Sequence, residues 1–244
     1  MELKISHPYP DLFNLYGDRG NLVTLTQRCL RRGITASVRG VPLGERVNFA
    51  DYDLLFIGGG QEGAEALLLD EIRAFRGAEV KAAIADGIVL LAIGSGYQLL
   101  GHSYKPPDGA EVDLIGALDF ISLGTKERMT GDYMFEWDEL EEPVKIVGFE
   151  NHSSKTYLGA GVRLFGKVLR GCGNNGEDGT EGVRYFNVFG SYSHGPLLPK
   201  NPGLSDFLIR LSLERKYGNV DLQPLDDALE MRANRFMVER LTKS

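Results

Sequence analysis

The 244 residues are 43% hydrophobic, 25% charged and 9% aromatic, a globular composition that excludes disorder and low complexity and bounds the protein to one large or two small domains. A formal charge of −7, with no basic block beyond Arg31-Arg32, argues against nucleic acid and anionic lipid as partners. The longest apolar run, Gly87–Ile93, falls far short of the roughly 20 residues of a membrane span. The opening MELKISHPYP lacks a secretory-leader pattern, and two cysteines are too few for a disulfide framework or a zinc site; the chain is expected in the cytoplasm.

Leu3 and Ile5 alternate with Glu2 and Lys4 in an opening strand, and Asn21–Arg32 reads as a helix stopped by Gly33. A strand over Ile34–Val41 follows. Tyr52–Ile57 and Ile88–Ile93 are continuous apolar runs, the mark of parallel strands buried on both faces, with a helical stretch 65–87 between them. The turn Gly94-Ser95-Gly96 joins the second run to a helical pattern beginning at Tyr97. From 114 to 188 short strands separated by polar loops predict a more antiparallel half of the same sheet. Two helices close the chain: one from an N-cap at Ser205 to Gly218, and one from near Pro224 with Leu225, Leu229, Met237 and Leu241 on one face. With no linker and no repeat, residues 1–244 read as a single α/β domain with C-terminal helices from about 205.

A strand feeding a helix through a glycine-flanked turn holds the turn residue above the sheet in a strained conformation, the geometry that presents a nucleophile. By itself AIGSGYQ is a weak signal, because glycine-rich βα turns also serve nucleotide-binding sheets. VLLAIGSGYQLLG resembles the elbow of class I glutamine amidotransferases, whose pattern is Gly, any, Cys, any, Gly, any, Gln. YPDLFNLYGDRGN, FIGGGQ, GFENHSSKTYLG, GNNGEDGTEGV and SYSHGPLLPKNP, spread in order over residues 8–204, are similar to the cobyric-acid-synthase-like branch, within it to the glutaminase subunits of lipid II isoglutaminyl synthases. The resemblance implies a flavodoxin-like α/β sandwich with a mostly parallel central sheet and helices on both faces. It also implies glutamine hydrolysis, with ammonia passed to a Mur-ligase-like partner (MurT in that family) that amidates D-glutamate of lipid II in peptidoglycan synthesis.

Carried over position by position, the resemblance places the family's nucleophilic cysteine on Gly94, its general-base histidine on His194 and the glutamine after the elbow on Gln98. It gives Gly59 and Gly60 as backbone donors near the oxyanion and Arg128 as an arginine near the substrate. Such an assembly suits acyl transfer: thiolate attack on an amide, an oxyanion held by N–H groups, and a histidine to protonate departing ammonia. His152, with Glu150, either shapes the glutamine pocket or touches glutamine; Asp18 and Arg19 either pair in a turn or belong to the pocket or partner surface. His7 and His102 read as structural. No metal-ligand spacing and no phosphate-binding lysine after a glycine loop are present, so neither metal nor cofactor is expected and ATP chemistry belongs to the partner.

Gly94 has no side chain and cannot attack. Cys29, on a helix face, and Cys172, in a loop, are poor substitutes for the missing thiol. Ser95 reads as a turn residue or N-cap, because one step along a tight turn re-aims the side chain away from its base. The glycine is either an introduced inactivation or a natural loss. The second reading leads to a non-catalytic binding module that stabilises or regulates a ligase; a Ser95-dependent hydrolase ranks last.

Overall fold

The computed structural model describes residues 1–60 and 77–243. In chain order they form β1 (Glu2–Pro8), α1 (Arg19–Leu30), β2 (Thr35–Val41), β3 (Leu54–Ile57), α2 (Gly77–Ala85), β4 (Val89–Ile93) and the one-turn α3 (Ser95–Gln98). The short β5 (Ser103–Lys105) and β6 (Val112–Asp113) precede two long strands, β7 (Phe120–Trp137) and β8 (Val144–Leu158). Then come β9 (Gly166–Arg170), β10 (Thr180–Glu181), β11 (Val183–Tyr185), β12 (Val188–Ser191), β13 (Ser193–His194), α4 (Pro202–Tyr217) and α5 (Ala228–Lys243). The part of the expected 65–87 helix before residue 77 lies outside the described residues.

The first sheet runs β11-β12-β4-β3-β1-β2 and is parallel except where β11 turns back on β12. Every residue of β3 and β4 is buried, as expected of apolar runs covered on both faces. Leu54, Phe56, Leu91 and Ile93 pack with α1 and α4 on one side, while Leu55, Ile57, Leu90 and Ala92 pack with α2 on the other. The flavodoxin-like order 2-1-3-4 puts the ligand crevice beyond the carboxyl ends of these strands, where β3 runs into Gly58-Gly59-Gly60 and β4 into Gly94.

The antiparallel half corrects the sequence expectation. It forms a second sheet of its own, β10-β9-β7-β5-β6, with β8 paired antiparallel to β7 and with β13. The predicted short strands fuse into the 18 residues of β7 and the 15 of β8, because each covers the partner's backbone and buries one face against the first sheet through Tyr133, Phe135, Trp137 and Ile146. Their ladder jumps from Gly124 opposite Ser154 to Met129 opposite His152, so residues 125–128 bulge outward. Tyr192 alone separates β12 in the first sheet from β13 in the second.

At the C-terminus the cap of α4 is Asn201 with Pro202 following, not Ser205. Proline supplies the helical φ at no loss of a donor, and Ser205 is buried one turn in, its hydroxyl donating to the Leu198 carbonyl at 2.9 Å. Arg28 of α1 is clamped between Asp206 and Asp227 at 2.6–2.8 Å, fixing α4 and the approach to α5. In α5, which begins at Ala228, Leu241 is buried and Met237 packs beside it, but Leu229 in the first turn stands exposed. Among the described residues no helix is long and apolar enough to cross a membrane.

Candidate active site

Gly94 follows β4 with φ 56° and ψ −121°, a positive-φ geometry that a Cβ disfavours and the kind of strained strand-to-helix turn on which nucleophile elbows are built. A Cβ placed on Gly94 would stand 2.7 Å from Cε1 and 2.8 Å from Nε2 of His194. Position 94 therefore points at one ring nitrogen of His194. The next residue points elsewhere: the Ser95 hydroxyl accepts the Gly60 N–H at 2.6 Å, so its oxygen is committed to the glycine loop as a turn residue would be.

His194 arrives on β13, held antiparallel to β8 opposite Phe149. Its Nδ1 faces both carboxylate oxygens of Asp18, at 3.3 and 3.4 Å, and Asp18 is wholly buried. A carboxylate on Nδ1 favours the tautomer with its proton there, and Nε2 is the nitrogen directed at position 94. Asp18 is itself anchored, accepting the Gly59 N–H at 2.7 Å. Gly59 admits no side chain, because a Cβ would come within 2.5 Å of the His194 ring and 3.1 Å of Asp18. Of the readings the sequence leaves open for Asp18, a turn pair or a pocket or partner residue, the structure favours the pocket, 176 residues from His194 along the chain. The signal available was its position in YGDRGN.

The two glycine donors part company. The Gly59 N–H is spent on Asp18 and is turned away from an oxyanion, which corrects its expected role; Gly60 faces the pocket with its N–H now taken by Ser95.

Around this pair lies a cavity of about 310 Å³ lined by Tyr16, Gly60, Gly94, Ser95, Gln98, Arg128, His152, Tyr192 and His194, among others. That is at the small end of the roughly 300–1,000 Å³ of ligand pockets, suited to an amino acid more than to a nucleotide. A larger cleft of about 550 Å³, between Arg46–Ala50 and α2, gathers no comparable set of groups. Gln98 is buried and donates from Nε2 to the Tyr192 hydroxyl at 2.9 Å. Arg128 rides on the β7 bulge, which aims it across the pocket mouth, where Nε donates to Asn151 Oδ1 at 2.6 Å and Nη2 to the Tyr16 hydroxyl at 3.0 Å.

His152 lines the cavity without offering it a nitrogen. Its Nδ1 meets the Ser154 carbonyl at 2.8 Å, Nε2 is sealed from solvent 3.9 Å from Glu150, and the ring stacks on Tyr192 at 3.8 Å. Of the two readings left open for it, the geometry favours shaping the pocket. Glu150 accepts the Cys172 and Gly173 N–H groups, so it too is structural. Cys29 is buried and its thiol pushed up to about 11 by burial; burial also raises Cys172. Neither is an activated thiol. His7 contacts the Phe13 carbonyl and exposed His102 pairs with Asp119.

Glu181 is a group that sequence reasoning missed. Fully buried below the site, it accepts from Tyr133, Ser191 and the Tyr192 N–H at 2.7–3.1 Å, and burial pushes its carboxyl up to about 7.

Comparison with known proteins identifies the family. The model of the CobB/CobQ-like glutamine amidotransferase domain matches residues 4–202. The chain is 39% identical to the lipid II isoglutaminyl synthase (glutamine-hydrolyzing) subunit GatD of Staphylococcus aureus strain N315, over 99% of this chain and 97% of that one. It is 36% identical to the GatD subunit of Streptococcus pneumoniae strain R6, over 93% and 87%. In fold it is similar to a glutamine amidotransferase of Thermotoga maritima (TM-score 0.54, 14% identity, 99% of each chain) and to PurLQS of the same organism (TM-score 0.52, 16% identity, 98% and 100%).

Proposed function

The chain belongs to the CobB/CobQ-like glutamine amidotransferases, among the GatD subunits of lipid II isoglutaminyl synthase, and from this premise we propose that its pocket binds glutamine with the side-chain amide at position 94. Its role is that of the glutamine-hydrolysing subunit of a synthase that amidates lipid II in peptidoglycan synthesis. Asp18 orients His194, His194 Nε2 serves a nucleophile at position 94, Gln98 and Arg128 bound the substrate, and the Gly60 N–H becomes the loop donor for the oxyanion once the Ser95 hydroxyl releases it. The observation that carries this assignment is the aim of His194 Nε2 at the Gly94 Cβ position, 2.8 Å away. Because glycine stands there, the chain as it is holds glutamine without cleaving it.

Ammonia release from glutamine tests the reading. The unaltered chain should release none above background and Gly94→Cys should restore turnover; Ser95-dependent release by the unaltered chain would show that the nucleophile is misplaced.

A partner subunit is part of the same proposal. No phosphate-binding loop is recognisable in the sequence, so the acceptor must be activated elsewhere, by a Mur-ligase-like subunit (MurT) docked close enough to receive ammonia. The proposed docking surface takes in the β7 bulge with Arg128, the adjoining stretch of β8 at His152 and residues 173–182, and a net charge of −7 favours a positive patch on the partner. Two free cysteines suit a reducing cytoplasm, and the whole chain 1–244 acts as one amidotransferase domain. Coexpression with the ligase followed by size-exclusion chromatography with light scattering should give one complex. Separate elution at micromolar concentration, with the ligase fully active on glutamine alone, would refute it.

One observation favours a second reading, the non-catalytic module that stabilises or regulates its ligase: beside the missing side chain at 94, the Ser95 hydroxyl occupies the Gly60 donor. If that contact persists with substrate, Gly94→Cys/Ser95→Gly should turn over faster than Gly94→Cys alone. Equal rates would remove this argument for the second reading.

A further inference from the structure

Tyr16 sits in the 3-10 turn Leu15–Gly17 with φ 56° and ψ 23°, in the left-handed region that a residue with a bulky side chain rarely occupies. Such a conformation persists only where the surroundings over-determine it, and it clusters at functional sites. Two contacts hold it. The ring edge meets the His194 imidazole with centroids 5.0 Å apart and planes at 67°, and the hydroxyl accepts from Arg128 Nη2 at 3.0 Å. Tyr16 thus touches the general base with one end and the exposed cation at the pocket mouth with the other.

Arg128 is suited to a carboxylate. Both of its hydrogen bonds go to neutral oxygens, of Asn151 and Tyr16, and among the described residues no carboxylate pairs with it, so its charge is available to a ligand at the mouth. Its position has two sources: the bulge at 125–128 of its own strand gives it reach, and the Tyr16 hydroxyl fixes one nitrogen of the planar fork. A pre-fixed guanidinium loses less freedom when it grips an anion.

We propose that Tyr16 is a positioning residue that holds Arg128 for the α-carboxylate of an amino-acid amide and transmits occupancy of that subsite to the His194 imidazole. The proposal rests on the glutamine reading of the pocket. It separates the ligand into two ends: the side-chain amide at Gly94 and His194, and the carboxylate at Arg128, with Tyr16 spanning the distance between them.

The test uses the full chain, in which glycine at 94 lets glutamine binding be measured calorimetrically at equilibrium without turnover. Tyr16→Phe keeps the ring against His194 and removes only the hydroxyl. It should weaken glutamine about three- to tenfold, the worth of one hydrogen bond to a charged group, and leave the affinity for glutamine α-amide, which has no carboxylate, within about twofold. The imidazole resonances of His194 should move on adding glutamine to the unaltered chain and move less in Tyr16→Phe. Arg128→Gln attacks the same bond from its other end: in that background Tyr16→Phe should have no further effect on glutamine. Unchanged glutamine affinity in Tyr16→Phe, an equal loss for glutamine and its α-amide, or additive losses in the double variant would overturn the role of Tyr16. If the unaltered chain binds no glutamine, the pocket assignment fails first and this proposal with it.

Discussion

Placing a side chain at position 94 tests two physical claims together, that the backbone there is strained and that it is aimed at a base. A Cβ would meet the His194 ring at 2.7 Å, against 3.4 Å or more for ordinary contact, so the ring must retreat by roughly 0.7 Å. Tyr16 at its edge and Asp18 at Nδ1 limit that retreat. The φ of 56° adds a cost on the order of 1–3 kcal/mol for a residue with a Cβ. At about 2–4 °C per kcal/mol for a chain of this size, the backbone cost alone should lower the melting of Gly94→Ala and Gly94→Cys by roughly 2–12 °C, with the crowding against His194 adding to it. Removing the ring in Gly94→Ala/His194→Ala should recover the crowding part of that loss and leave the backbone part. Melting followed by circular dichroism, with ammonia release measured on the same samples, separates the claims: both variants lose stability and only Gly94→Cys hydrolyses glutamine. A folded, destabilised Gly94→Cys that is silent toward glutamine would refute the assigned chemistry, and melting unchanged in both variants would refute the strain.

In the Gly94→Cys background, His194→Ala should lower glutamine hydrolysis by about a hundredfold or more, measured as the initial rate of ammonia release. Asp18→Asn should be nearly as damaging, by about 10²–10⁴ in rate. The amide oxygen must still accept the Gly59 N–H, which turns its NH₂ toward Nδ1 and drives the proton onto Nε2; a rate within threefold of the background would show that Asp18 does not set the tautomer. Glu181 predicts a pH dependence of stability. In the folded chain it keeps its proton up to about 7, against an ordinary value of 4.5, so across that window the folded state binds more protons than the unfolded one. Stability should therefore fall as pH rises from 4.5 to 7, by at most about 3 kcal/mol, and Glu181→Gln, a neutral mimic of the protonated acid, should remove that slope in denaturant titrations. An unchanged slope would refute the assignment to Glu181.

The βα units around the elbow were legible because their signals are local: β3 and β4 are unbroken apolar runs and each ends in glycines. The β7–β8 pair was not, since its length depends on pairing between strands, and the polar 125–128 segment reads as a loop when its bulge cannot be seen. At the site, Gly94, Gln98, Arg128 and His194, far apart in the sequence, line one cavity; the roles that the resemblance implies for them are those proposed above. Asp18 was undervalued because a carboxylate beside arginine and glycine looks like a turn, and only the fold shows it sealed against His194. Gly59 was given a donor role from its place in the loop; its N–H is consumed by that same carboxylate. Ser205 was read as a cap because it precedes Asp206, whereas Asn201-Pro202 had already begun the helix.

The crossing at Tyr192 has a consequence for the order of events in folding. Gly94 leaves the first sheet and His194 belongs to the second, with one residue between β12 and β13. A slip of one position there would carry the imidazole about 3.3 Å along the strand and turn it to the opposite face. The pairing of His194 with position 94 therefore forms only after both sheets have seated in register. Tyr192 is pinned at that junction by Gln98, Thr156 and the face of His152. Glutamine gripping both walls would brace the same junction, so amide exchange at 191–194 should slow with ligand more than exchange in the helices remote from it.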